Sequence, residues 1–160
     1  MQAAALSPRD PRDLVGRWAL ARRVADRVAG RQGTVSGLLT VSADGAGLRW
    51  DERGTLRWAG VERPVTRTYL LRERADGWWV DFPDGRPFHP WRPGAPVTHP
   101  CRADVYSGLV RVDGDRIRTV WDVRGPAKDQ RLVTRLYRDP TAPFGEPVSG
   151  GPSGWRRPGG

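Results

Sequence analysis

The sequence predicts an all-β domain: an antiparallel up-and-down barrel of about nine or ten strands, preceded by a short N-terminal helical turn. Three observations carry that expectation. Apolar residues recur with a period of two along most of the chain. Tight-turn dipeptides interrupt the pattern at short intervals. No long stretch carries the 3.6-residue period of an amphipathic helix.

In chain order, Asp10-Pro11-Arg12-Asp13-Leu14-Val15 suits one helical turn, with Asp10 as N-cap and Pro11 at the first helical position. Trp18, Leu20 and Val24 then share one phase, and Val35, Leu39 and Val41 share the next. The turn Ala43–Gly47 leads to Leu48, Trp50, Leu56 and Trp58, which keep phase across Gly54, a bend or a bulge. Ala59-Gly60 and Pro64 bracket a turn before Val65, Tyr69 and Leu71. Asp76-Gly77 feeds Trp78, Val80 and Phe82, and Asp84-Gly85 feeds a strand from Arg86 to Trp91. After a proline-rich excursion from Pro90 to Pro100 come Val105 to Val110, the turn Asp113-Gly114, and then Ile117, Trp121 and Val123. A last strand runs from about Gln130 to Arg138. Strands joined by two-residue turns are antiparallel neighbours. A meander of this length closes or leaves long exposed edges, so a barrel is favoured over a two-sheet sandwich.

A chain of 160 residues fits one folded unit. Residues 1–10 are expected to be a flexible arm, 11–139 the barrel, and 140–160 a disordered tail, since that last segment is dense in Pro, Gly and Ser. The single cysteine, Cys101, excludes an intrachain disulfide and fits a reducing compartment. The N-terminus lacks the apolar run of a secretory signal, and no segment approaches the ~20 apolar residues of a spanning helix. The expectation is therefore a cytoplasmic, soluble protein. Net charge is +9, with Lys128 the only lysine and tryptophan unusually abundant at 8 residues. Arginine-rich, lysine-poor composition points to a GC-rich genome. The arginines are scattered along the chain, so a nucleic-acid interaction module is an alternative rather than the first reading.

Gly16-x-Trp18, just after a helical turn and at the head of the first strand, resembles the opening of lipocalin-type (calycin) barrels. That resemblance implies a Trp plugging the closed end and a late Arg packing over it, a part open to Arg135 or Arg138. More of the chain resembles a bacterial family, the domain of unknown function 6314. The matching residues are Leu14-x-Gly16-x-Trp18-x-Leu20-x-Arg22, Glu52-x-Gly54-x-Leu56, Arg67-x-Tyr69 and Phe82-x-x-Gly85-Arg86-Pro87-Phe88-His89. They continue through His99-x-Cys101-x-x-Asp104-x-Tyr106-x-Gly108 and Trp121-x-Val123-x-Gly125-Pro126-x-Lys128-Asp129. The resemblance spans about residues 14–138 and implies no established activity.

Strand phase marks the first candidate site. Arg22 shares the phase of Trp18, Leu20 and Val24; Glu52 that of Trp50 and Leu56; Arg67 that of Val65 and Tyr69. If those faces point inward, the three charged groups form an internal ion network, sit at a wet barrel mouth, or meet a ligand. Two arginines against one glutamate leave a cationic excess suited to an anionic or carboxylate-bearing ligand. His89, His99, Cys101, Asp104 and Tyr106 form a second constellation. As acid–base chemistry, His89, His99, Asp104 and Tyr106 are candidates for proton transfer, with Cys101 or Lys128 as a nucleophile. As metal chemistry, His89, His99 and Cys101 offer zinc-type ligands at no standard spacing, and a histidine among aromatics allows haem. The plainer alternative is a buried, inert Cys101 and histidines that tie down loop carbonyls. Lys128 is read as a Schiff-base or phosphate-binding residue at the barrel mouth, or as a surface partner of Asp129 or Asp122. Trp121, with Trp18, Trp50, Trp58 and Trp78, lies on an apolar phase and reads as core or as a stacking wall for a flat ligand. The leading function is interior binding of a small hydrophobic ligand, anionic or aromatic in character. A small barrel enzyme acting on a hydrophobic metabolite is the alternative.

Overall fold

A computed structural model describes residues 10–139 of the chain; the expected tail, and the expected arm apart from Asp10, lie outside the described residues. A 3-10 turn, Pro11–Leu14, is capped by the Asp10 side chain, which accepts from the Arg12 backbone N–H. Ten antiparallel strands follow: β1 Gly16–Asp26, β2 Arg31–Asp44, β3 Gly47–Trp58, β4 Val61–Arg74, β5 Gly77–Asp81, β6 Pro87–Pro90, β7 Pro96–Cys101, β8 Asp104–Asp113, β9 Arg116–Gly125 and β10 Lys128–Arg138. They make one sheet in the order β6-β5-β4-β3-β2-β1-β10-β9-β8-β7, so the sequence meander is closed by pairing the first strand with the last. The result is a nearly closed barrel.

Its one seam lies between β6 and β7, the two ends of the strand order. Both edge strands carry prolines, Pro87 and Pro90 in one and Pro96 and Pro100 in the other. Proline lacks the N–H that another strand would recruit, so the seam is protected against further pairing. The proline-rich excursion expected from Pro90 to Pro100 holds most of an edge strand: β7 pairs in register with β8 from Pro96 to Cys101. Gly54 brings no bulge: it pairs with Gly37 across β2 and β3 without a shift in register. A register shift occurs instead between Val80 and Asp81, where β5 meets β6. It lets Phe88 and His89, neighbours in sequence, both be buried.

The interior phase follows the sequence. Trp18, Leu20, Leu39, Val41, Leu48, Leu71, Ile117 and Leu136 are buried in one core. Trp18 plugs one end, and its indole N–H donates to the Leu14 carbonyl at 2.9 Å. Arg138, and not Arg135, packs over it with its guanidinium 4.3 Å from the ring centroid. Arg138 also donates to the Val15 and Asp13 carbonyls at 3.1 and 2.8 Å, whereas Arg135 is exposed on the outer face. Gly16 is required beside it: φ is +139°, and a Cβ there would lie 3.0 Å from Arg138 Nη1. Trp58, Trp78 and Trp121, expected in the core, are only partly buried against it, while Trp91 is buried.

Candidate functional site

The three charged residues picked out by strand phase do converge inside the barrel. Glu52 and Arg67 are direct cross-strand partners on β3 and β4. Arg22 on β1 reaches Glu52 with Nη2–Oε2 at 2.7 Å, the two side chains being 4% and 7% exposed. The other carboxylate oxygen accepts from Trp50 Nε1 at 3.0 Å, and Arg22 Nε donates to Thr134 Oγ1 at 2.7 Å. Arg67 is half-buried, with its guanidinium 5.8 Å from the ring centroid of Tyr69, two residues on along the same face. Burial lowers the Arg22 pKa, with the Arg67 charge adding to that and Glu52 opposing it. Burial alone would raise the Glu52 carboxyl. The Arg22 and Arg67 charges and the Trp50 and Arg22 hydrogen bonds outweigh it and hold Glu52 below the usual carboxylate range. Glu52 therefore stays ionised at neutral pH, and because a guanidinium keeps its proton in proteins, two arginines against one glutamate leave the cluster with a net positive charge.

This cluster lines a cavity of about 40 Å³, room for about three water molecules. Its wall continues through Tyr69, Phe88, His89, Trp91, Thr119 and Trp121. Phe88 stacks between Tyr69, 5.6 Å away, and Trp121, 5.0 Å away. Gly108 makes that wall possible, because a Cβ there would lie 2.4 Å from the Trp121 ring. The His89 Nδ1 atom lies 2.8 Å from the Pro90 carbonyl oxygen. A carbonyl only accepts, so Nδ1 carries the proton and Nε2 keeps its lone pair. Burial pushes the His89 pKa down to about 4, and the ring is neutral at pH 7.

Trp91 supplies the feature that strand phase did not reveal. Its backbone N–H bonds the Trp78 carbonyl at 2.8 Å, fixing it at the end of β6. The indole is 8% exposed, and its Nε1–H has no hydrogen-bond partner. A buried donor left unpaired costs about 1–3 kcal/mol, so such groups are scarce in folded proteins.

The second constellation divides. His89, His99 and Tyr106 gather around Phe88 by ring contacts, with centroids 4.8, 5.2 and 6.2 Å from it. Among the described residues, neither histidine is joined to Asp104, Tyr106 or Cys101 in a hydrogen-bonded acid–base relay: His89 Nδ1 faces the Pro90 carbonyl and Asp104 accepts from Lys128. Asp104 instead pairs with Lys128 at 2.7 Å, tying the start of β8 to the start of β10. This corrects the expected Lys128 partners: Asp129 pairs with Arg27 and Asp122 with Arg131. Lys128 is mostly buried by that pairing and does not line the cavity. Cys101 is a free, half-buried thiol at the end of β7. Among the described residues, no group of three or more His, Cys, Asp or Glu side chains is placed to hold a metal ion. No helix among them is long and apolar enough to cross a membrane.

The model of a family of unknown function, DUF6314, matches residues 14–138, and the chain belongs to that family. No curated protein matches the chain. Among solved structures, the S-type phycobiliprotein lyase CPES from Guillardia theta is similar in fold, with a TM-score of 0.59. The two share 10% sequence identity, over 82% of this chain and 91% of that one.

Proposed function

We propose that this member of the DUF6314 family binds a small anionic ligand with an aromatic or apolar body inside its barrel. The observation that carries the reading is the unpartnered Trp91 Nε1–H, buried in the wall of the same cavity as a cation excess. A carboxylate satisfies both: one oxygen accepts from Trp91, and the negative charge offsets the surplus of Arg22 and Arg67 over Glu52. The apolar body packs against Phe88, Val110 and Trp121. Neutral His89, with Nε2 as acceptor, suits a ligand hydroxyl or N–H and adds no charge. The cavity is smaller than an aromatic ring requires, so ring-sized ligands displace part of the wall. The wall yields most readily at the seam, where β6 and the Trp91 connection lack the second ladder that braces other strands. The barrel shared with the phycobiliprotein lyase gives room for an interior site but does not choose its ligand.

The test is a titration of tryptophan fluorescence with benzoate, its neutral isostere benzamide, and benzylamine. Benzoate is expected to bind at least about tenfold more tightly than benzamide, a difference of ~1.4 kcal/mol. Benzylamine is expected not to bind. Equal affinities for acid and amide, or no saturable response to any of the three, contradict the reading.

A further inference from the structure

The strand register assembles on the outside of the barrel something that the linear spacing of arginines hides. Arg111 on β8 lies directly across from Arg118 on β9, which lies directly across from Arg135 on β10. All three are exposed. Directly opposed residues have Cβ atoms about 5 Å apart, so the three cations form a row of about 10 Å, and like charges so placed destabilise the sheet. Among the described residues none of the three makes an ion pair, although twelve such pairs occur elsewhere. The acids nearest in register are otherwise placed: Asp122 pairs with Arg131, and Asp113 stands opposite Arg116.

The row's surroundings favour one kind of polyanion. Beyond Arg135 the row continues into Ala21 and Ser36, small residues that let a partner lie close to the sheet. The adjoining row, Leu109–Val120–Val133, is half-buried, so the exposed surface is guanidinium rather than apolar, unlike the core of a protein–protein interface. Tyr137 stands two residues from Arg135 on the same face, 45% exposed, with the Arg116 guanidinium 5.9 Å from its ring. A short line of cations beside an exposed aromatic ring is the pattern that holds a sugar–phosphate backbone and stacks one base. We infer that the outer face of β8–β9–β10 is a binding surface for single-stranded nucleic acid, with Arg111, Arg118 and Arg135 on successive phosphates and Tyr137 as the stacking platform. This surface is separate from the interior cavity.

Fluorescence anisotropy of the full chain with a labelled oligothymidine tests it. Three phosphate contacts predict an affinity that falls about 20-fold when salt rises fourfold. Arg111→Glu/Arg118→Glu/Arg135→Glu is expected to lose more than about tenfold in affinity, and Tyr137→Ala about fivefold or more. A charge-matched control, Arg31→Glu/Arg63→Glu/Arg92→Glu, alters exposed arginines away from the row and is expected to lose less than about threefold. Circular dichroism and melting curves check that all variants are folded. No binding at low salt overturns the inference, as does equal loss in row and control variants, which would mean diffuse charge. Binding to phosphatidylserine vesicles without binding to the oligonucleotide overturns it too, by assigning the row to a membrane surface.

Discussion

Replacing Glu52 by Gln tests whether the interior charges form one coupled unit. Each Glu52 oxygen accepts from a different donor, Trp50 Nε1 at 3.0 Å and Arg22 Nη2 at 2.7 Å. A carboxamide has one oxygen, so its NH2 must face one of those donors whichever way it turns. The substitution also removes the counter-ion of Arg22, whose side chain is 4% exposed. Stripping one partner from a buried pair costs about 3–5 kcal/mol. For a domain of this size that lowers the melting temperature by about 10–20 °C. Differential scanning calorimetry and urea titration measure the loss. Arg22→Met/Glu52→Gln, which removes the orphaned cation, is expected to recover a large part of it. A Glu52→Gln variant that melts within about 3 °C of the parent refutes the coupling, because a surface-like pair contributes under ~1 kcal/mol.

Arg138→Ala removes the guanidinium lying over Trp18 and its bonds to the Val15 and Asp13 carbonyls. It is expected to cost about 2–4 kcal/mol in chemical denaturation, whereas Arg135→Ala, on the exposed face, is expected to stay within ~0.5 kcal/mol. His89 has a folded pKa of about 4, below its unfolded value, so the unfolded chain binds the proton first as pH falls. Stability is then expected to decline by up to about 3 kcal/mol between roughly pH 6.5 and 4, a slope that His89→Phe abolishes. NMR titration is expected to show His89 neutral above about pH 5. Trp91→Phe deletes the orphan N–H, so the ligand-free protein is expected to gain about 1 kcal/mol or more while benzoate binding weakens about tenfold; opposite signs in those two measurements are the diagnostic.

Much of this arrangement could be read from strand phase alone. Arg22, Glu52 and Arg67 each fall on an apolar phase, and a pleated strand has only two faces, so their convergence followed once the barrel closed. Strand phase also left open whether they form an ion network or a ligand site. In the structure the Arg22–Glu52 pair is formed, and the cluster still lines a cavity. Other features depend on contacts between strands distant in sequence. β7 lay hidden because prolines argue against a central strand, yet they are tolerated on an edge. The Lys128–Asp104 pair spans 24 positions and arises where β8 and β10 both begin beside the end of β9. Trp91 lies past the register shift of β5 and β6, so extrapolating the two-residue period could not place it. The Arg111–Arg118–Arg135 row likewise exists only in the pairing of strands, which explains why scattered arginines gave no footprint in the sequence.

The claim that an anion completes the interior site is tested most directly by the indole N–H resonance of Trp91, assigned through its absence in Trp91→Phe. In a 15N-correlated spectrum, titration with benzoate is expected to move that peak downfield as Nε1–H gains an acceptor. The Trp18 peak, already bonded to the Leu14 carbonyl, is expected to stay in place. A Trp91 peak that does not move while benzoate saturates the protein would contradict the account, because the ligand would then be held elsewhere.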